Sequence, residues 1–157
     1  MLHVGPPCAP SPVYAESPLA DAAGWVNVDK HSLQHVTYPN VFAIGDCNSA
    51  PTGKTAAKVA AESGVLYTNM LSVLRGGALQ AQYDGYTSCP LTVGDGKLVL
   101  AEFGYDGKIL ETFRGDQAVP SRINYWLKKE VMPALYWHGL IRYFTFPLPS
   151  PAMLHAS

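Results

Sequence analysis

No G-x-G-x-x-G occurs anywhere in this 157-residue chain. The glycine-rich turn that lets a helix N-terminus cradle a pyrophosphate is therefore not written into it. Cysteine is scarce. Cys8, Cys47 and Cys89 make an odd three, with no C-x-x-C and no Cys/His cluster at zinc spacing. That pattern is not the framework of a secreted disulfide domain, and it offers no structural zinc. His3, His31, His35 and His155 likewise have no partner at ligand spacing, so no metal site is expected. No apolar run reaches the ~18 residues of a membrane-spanning helix. The first eight residues, Met1 to Cys8, show no basic segment, apolar segment or Arg-rich amphipathic presequence.

A large net charge is also missing, but the balance is uneven. The chain holds 11 Lys/Arg against 12 Asp/Glu, a formal charge of −1. Residues 1–113 carry 6 basic and 10 acidic side chains, whereas residues 114–157 carry 5 and 2. Five cations spread over the tail are a weak footprint for nucleic acid. The Trp and Tyr among them suit a membrane surface better. The remaining composition is that of a globular chain with many turns: 48% hydrophobic, 15% charged, 14 Gly and 13 Pro. Its length suffices for one domain with a real core.

Along the chain, the proline-rich residues 1–20 read as an extended loop. Trp25 to Asp29 alternates like a short strand, with a turn at Lys30–Gln34. Val41 to Ile44 is an unbroken apolar run closed by Gly45, the pattern of a strand buried on both faces of a parallel sheet. After a loop at 48–53, a helix is predicted over 54–75. Ala56, Ala57, Ala60 and Ala61 crowd its start, Val59, Leu66, Met70 and Leu74 continue at helical spacing, and Gly76-Gly77 stops it. An antiparallel meander follows, with strands over 86–93, 97–103 and 108–113 and tight turns at Gly94-Asp95-Gly96 and Gly104–Gly107. Residues 121–146 read as one or two helices, broken at Pro133 and around Gly139.

Two places carry candidate chemistry. A buried strand delivering Asp46 at its C-terminal end, after Gly45, stands where open α/β sheets put ligands. A carboxylate there can accept from ribityl hydroxyls, and the following helix start can stabilise negative charge. Lys54 opposes the helix dipole, which favours a role at a ligand; its plain alternative is a lysine in solvent. Cys47 reads as a small buried hydrophobe. The second place is Cys89, with Pro90 removing a backbone donor just after the thiol. The tail pairs Arg122, Lys128, Lys129 and Arg142 with Trp126, Tyr136, Trp137 and Phe144. It suits either a bilayer interface or a helix packed on the protein's own core.

The run Pro39-Asn40-Val41-Phe42-Ala43-Ile44-Gly45-Asp46 resembles the second flavin-binding motif of the flavoprotein disulfide reductases. Taken with Tyr86-Thr87-Ser88-Cys89-Pro90, it is similar to the C-terminal portion of mitochondrial sulfide:quinone oxidoreductases. The resemblance covers about residues 1–146. It implies FAD, with Gly45, Asp46, Thr52, Gly53, Lys54 and Thr55 at the cofactor. It implies that Cys89 carries a persulfide derived from hydrogen sulfide, and that its redox partner lies upstream of Met1. The electrons would pass through FAD to ubiquinone, and the sulfur to a small acceptor such as glutathione or sulfite. Pro133, Tyr136, Trp137, Trp126 and Phe144 would form the quinone and membrane surface of a monotopic protein on the mitochondrial inner membrane.

The expected fold class is α/β, with α+β character in this fragment. Residues 1–80 would be the C-terminal part of a Rossmann-like FAD-binding domain, with a strand over 40–46 and a helix over 54–75. Residues 81–120 would be the antiparallel segment, 121–146 the membrane-associating helices and 147–157 a disordered tail. Alternatives are a type II NADH:quinone oxidoreductase-like flavoprotein, which needs no redox cysteine, and an inactive membrane-surface module. A chain without the pyrophosphate fingerprint and second cysteine is expected not to turn over alone.

Overall fold

Thr55 starts the longest element. Its extended backbone and its hydroxyl, which accepts the Lys58 amide at 3.1 Å, make it an N-cap for helix α2, Ala56–Leu74. Lys54 therefore lies before the cap instead of inside the helix. Gly76, at φ 73°, ends α2 as predicted, and the Gly77 amide returns to the Ser72 carbonyl at 2.8 Å. The computed structural model describes residues 2, 4–112 and 116–140, excepting the side chain of Leu140.

The face that α2 buries is not the one its apolar spacing predicts. Val59, Met70 and Leu74 are exposed, Leu74 by 76%. The buried stripe is Lys58, Ala61, Glu62, Val65, Asn69 and Ser72, successive positions of one helical row. Ala61 and Val65 pack with Leu33 and Tyr83 in one core cluster. The polar members serve loop backbone: Asn69 donates to the Ser32 and Ala81 carbonyls and accepts from the Gln80 and Ala81 amides. Loops packed on a helix present unpaired peptide groups, and these must be matched by side chains.

Ahead of α2, after a short helix α1 (Pro12–Ala15), the chain forms a small irregular β layer. Val28 bridges His35 antiparallel, Gln34 bridges Phe42 antiparallel, and Val26 bridges Asn48 in parallel. Val26, Val28 and Ala43 make a second core cluster beneath it. The expected strand over 40–46 is thus one antiparallel bridge at Phe42, followed by a 3-10 turn at Gly45–Cys47. A parallel strand of the expected kind is held by neighbours along both edges. Here the 33–35 segment takes its hydrogen bonds, with the His35 amide on the Val41 carbonyl at 2.8 Å and the Ala43 amide on the Leu33 carbonyl at 3.2 Å.

Strands β1 (Thr87–Gly94) and β2 (Lys97–Phe103) form a two-stranded antiparallel sheet in which Cys89 faces Ala101. Asp95 and Gly96 both have positive φ, at 49° and 65°, the geometry of a two-residue hairpin turn. The predicted third strand shrinks to an Ile109–Phe103 bridge. The Glu102 carboxylate accepts the Thr112 amide at 2.9 Å and so takes the donor a ladder would have used. Ser121 then exchanges two backbone hydrogen bonds with Leu98 and caps helix α3, Arg122–Trp126.

From α3 the backbone stays helical through a π turn at Leu127–Val131, helix α4 at Met132–Leu135 and a second π turn at Tyr136–Leu140. The predicted break at Pro133 does not occur. The widened turn just before the proline accommodates a ring that lacks an N–H donor. The basic Lys128 ammonium donates to the Pro90 carbonyl at 2.6 Å, which ties this helical segment to β1. Among the described residues, no helix is long and apolar enough to cross a membrane.

Candidate functional site

The Gly45–Asn48 turn is gripped from two sides. Below it, Lys58 and Glu62 of α2 are fully buried with their charged atoms 3.5 Å apart. The Glu62 carboxylate accepts the Gly45 amide at 2.6 Å and the Asn48 side-chain amide at 2.8 Å. The Lys58 ammonium donates to the Asn48 side-chain oxygen at 2.8 Å and to the Gly45 carbonyl at 3.3 Å. Gly45 itself sits at φ 74°, where a Cβ would lie 3.2 Å from Val59. A left-handed backbone and a helix passing close beneath both call for glycine.

On the other side, Lys54 donates to the carbonyls of Asp46 and Asn48, the latter at 3.1 Å. Its ammonium lies 3.7 Å from the ring centre of Trp25. Burial, reinforced by the neighbouring Lys58 ammonium, holds the Lys54 pKa below the ordinary lysine value, while the Asp46 carboxylate pulls the other way. Two carbonyls and an aromatic face thus meet this ammonium. Asp46 is exposed, and among the described residues its carboxylate accepts no hydrogen bond.

The loop before α2 is pinned to β1. Thr52 donates to the Gly85 carbonyl at 2.8 Å, the Thr55 and Thr87 hydroxyls meet at 2.9 Å, and Thr87 donates to the Gly53 carbonyl at 3.2 Å. A Cβ on Gly53 would approach the Thr87 hydroxyl to 3.1 Å. Side chains alternate along a strand, so Cys89 shares the face of Thr87, about 7 Å further along. Cys89 is exposed, and all three cysteines are free thiols. The Cys47 thiol donates to the Ile44 carbonyl at 3.2 Å, a local bond suited to a small packed residue.

At the far end, Ile123, Trp126, Leu135, Tyr136 and Trp137 are exposed, Trp137 by 61%. Pro133 is exposed between them. Phe144 lies outside the described residues. A cleft of about 500 Å³ is lined by Asp29, His31, Gln34, His35 and Gln80 among others, and by none of the residues assigned to the cofactor, the sulfur or the quinone. No His/Cys/Asp/Glu group able to hold a metal occurs among the described residues.

The mitochondrial sulfide:quinone oxidoreductase of Mus musculus is 51% identical over 142 residues, 90% of this chain. Those of Dictyostelium discoideum and Schizosaccharomyces pombe are 46% and 45% identical, again over 90% of this chain. This chain is a relative of the mitochondrial sulfide:quinone oxidoreductases. It spans 32% of the length of each of these relatives. No protein-family model matches it. In three dimensions it is similar to a chain in the cryo-EM structure of the Tetrahymena thermophila mitochondrial ATP synthase, an F1Fo composite tetramer. That match has a TM-score of 0.72 and 27% identity, and covers 81% of this chain and 31% of the other.

Against this sulfide:quinone oxidoreductase relationship, the structure joins the two stretches the sequence singled out. Thr52 touches the segment leading into the Cys89 strand, and Gly53 and Thr55 touch Thr87, the strand's first residue. It does not bring Cys8 or Cys47 into a pair with Cys89. Sequence reasoning missed Lys58, Glu62 and Asn48. The signal available was an i, i+4 Lys–Glu pair placed on the same helical row as Ala61 and Val65, where a solvated pair does not belong.

Proposed function

We propose that this chain supplies the flavin-facing turn, the sulfur-carrying cysteine and the membrane surface of a mitochondrial sulfide:quinone oxidoreductase. The observation carrying the reading is the Thr55–Thr87 contact, which ties the loop at the start of α2 to the strand that bears Cys89. The 45–51% identity with proteins of that name supports it.

The residues fit a flavin in part. Asp46 offers an exposed carboxylate with no other hydrogen-bonding partner among the described residues, suited to ribityl hydroxyls. Gly45 and Gly53 keep the backbone approachable, and the positive end of the 19-residue helix α2 lies beside them. Thr52 and Thr55 turn their hydroxyls toward β1 and Lys54 turns its ammonium toward the Gly45–Asn48 turn, so these three hold the cradle's shape. A bound flavin supplies a reversible two-electron carrier.

The chain's own chemistry centres on the Cys89 thiol. In net terms, the Cys89 thiol, hydrogen sulfide and ubiquinone become the Cys89 persulfide and ubiquinol. A new S–S bond forms, and the two electrons and two protons released go to the quinone. The outer sulfur of the persulfide then passes to a small acceptor such as glutathione or sulfite. Exposure of Cys89 at the strand surface gives such an acceptor access. Trp126, Tyr136 and Trp137, flanked by Lys128 and Lys129, would rest in the interface of the inner membrane, with Pro133 at the quinone entrance.

The test replaces the matching segment of the mouse relative with this chain's matched residues. The chimera is expected to reduce a short-chain ubiquinone with sulfide, and Cys89→Ser to lower that rate by at least about 100-fold. A Cys89→Ser chimera with undiminished sulfide turnover overturns the assignment of Cys89. The 157-residue chain alone is expected to show no sulfide-dependent quinone reduction above free FAD, and turnover by it would reverse that expectation.

A further inference from the structure

A buried Lys–Glu pair is a costly way to stabilise a helix. Desolvating two charges loses several kcal/mol per ion, and well-packed apolar residues commonly do as well or better. What a buried pair can add is direction. In this chain both charges end on a single residue's backbone: Glu62 accepts the Gly45 amide at 2.6 Å, and Lys58 donates to the Gly45 carbonyl at 3.3 Å. Asn48 closes the arrangement by donating to Glu62 and accepting from Lys58, each at 2.8 Å. All three residues are 0% exposed.

From the opposite side, Lys54 holds the carbonyls of Asp46 and Asn48. Three carbonyls of a four-residue turn, at Gly45, Asp46 and Asn48, therefore each accept from an ammonium group. Such charge-assisted bonds are about twice as strong as neutral ones. The turn's backbone is held above and below, while the Asp46 side chain projects into solvent.

We propose that the Lys58–Glu62 pair, bridged by Asn48, acts as a positioning device that fixes the direction of the Asp46 carboxylate. Its functional half rests on the reading of Asp46 as the flavin-facing residue. Its structural half stands on the contacts to Gly45 and Asn48. Lys58 and Glu62 touch no reacting group. They act through the turn, and a turn held rigid before the ligand arrives loses less on binding.

Two measurements on the purified 157-residue chain test it. In the unsubstituted chain, the Gly45 amide should exchange with deuterium on the order of 100-fold more slowly than exposed loop amides. Exchange at the loop rate overturns the proposal without any variant. The second measurement compares the chain with the double variant Lys58→Met/Glu62→Gln, which removes both charges while keeping volume and one acceptor. FAD binding is read by flavin fluorescence and by the induced visible circular dichroism. The expected result is a melting temperature within a few degrees of the parent, faster Gly45 exchange, a changed dichroic band and affinity on the order of tenfold weaker.

Equal affinity and an identical band in a stable variant overturn the proposal. So does a variant that no longer folds, because the pair is then a stability element. If neither the unsubstituted chain nor its chimera with the mouse relative binds FAD, the flavin reading of this chain fails by itself. Exchange at Gly45 and Asn48 in the variant then decides the positioning role, with acceleration supporting it and unchanged rates overturning it.

Discussion

The hydroxyls of Thr55 and Thr87 lie 2.9 Å apart, and through them the cap of the longest helix is bound to the strand that carries Cys89. Thr87 also donates to the Gly53 carbonyl and is buried. The two stretches are more than thirty residues apart in sequence, so this contact joins what the chain separates.

Removing that hydroxyl isolates its effect. Thr87→Val keeps the shape of the side chain and leaves the Gly53 carbonyl and Thr55 hydroxyl without this partner. A loss of about 1–2 kcal/mol is expected, read as a lower midpoint in urea at unchanged slope.

Gly45→Ala should destabilise by about 1–2 kcal/mol, the cost of a left-handed backbone with a side chain. The substitution also places a Cβ 3.2 Å from Val59. Val59→Ala in the same chain relieves the contact but not the backbone strain. Thermal melts of the two single variants and the pair separate the two causes.

Breaking the buried pair on one side only should cost more than removing it altogether. Lys58→Met or Glu62→Gln alone strands a fully buried charge, at a cost of about 3–5 kcal/mol, whereas the double variant is expected near neutral. A double-mutant cycle in urea measures the difference, and simple additivity would contradict it.

Stability should fall at high pH. Burial, and then the hydrogen bond to Glu102, push the Tyr86 pKa up to about 12 from an ordinary 10.0. Burial also raises Tyr83 and Tyr105, helped in both by the Glu62 charge. The unfolded chain ionises these phenols first. The Tyr86 contribution is thus complete below pH 10.0 and is lost as pH rises through about 12. Lys54, held below its usual value, opposes this in part. Tyr86→Phe should flatten the decline when unfolding is followed from about pH 9 upward.

Trp126→Ser with Trp137→Ser should weaken binding to vesicles containing anionic lipid by about tenfold or more, judged by co-sedimentation. Unchanged binding would mean that the exposed aromatic face does not meet the bilayer.

Much of the local structure was legible in the residues. The alanine-rich helix, its stop at Gly76, the hairpin at Asp95-Gly96 and the pairing of the Cys89 strand with its neighbour all follow from periodicity and turn chemistry. The strand over 40–46 did not follow. An apolar run reports that a segment is buried, not what lies on its edges, and here residues 33–35 supply antiparallel partners. The third meander strand was lost for a similar reason, since Glu102 captures the Thr112 amide. The inward face of α2 was misread because apolar spacing alone does not show that neighbouring loops need polar side chains.

By itself, the amino-acid sequence determined which segments turn, coil or extend, and which residue types stand ready at Asp46, Lys54 and Cys89. Those properties depend on near neighbours in the chain. The tertiary structure decided what each residue faces. It set Lys58 and Glu62 beneath Gly45, turned Lys54 toward carbonyls and Trp25, and tied the Cys89 strand to the start of α2. These contacts link positions far apart in sequence, and the free energy of a buried charge or hydrogen bond depends on partners that local pattern does not encode.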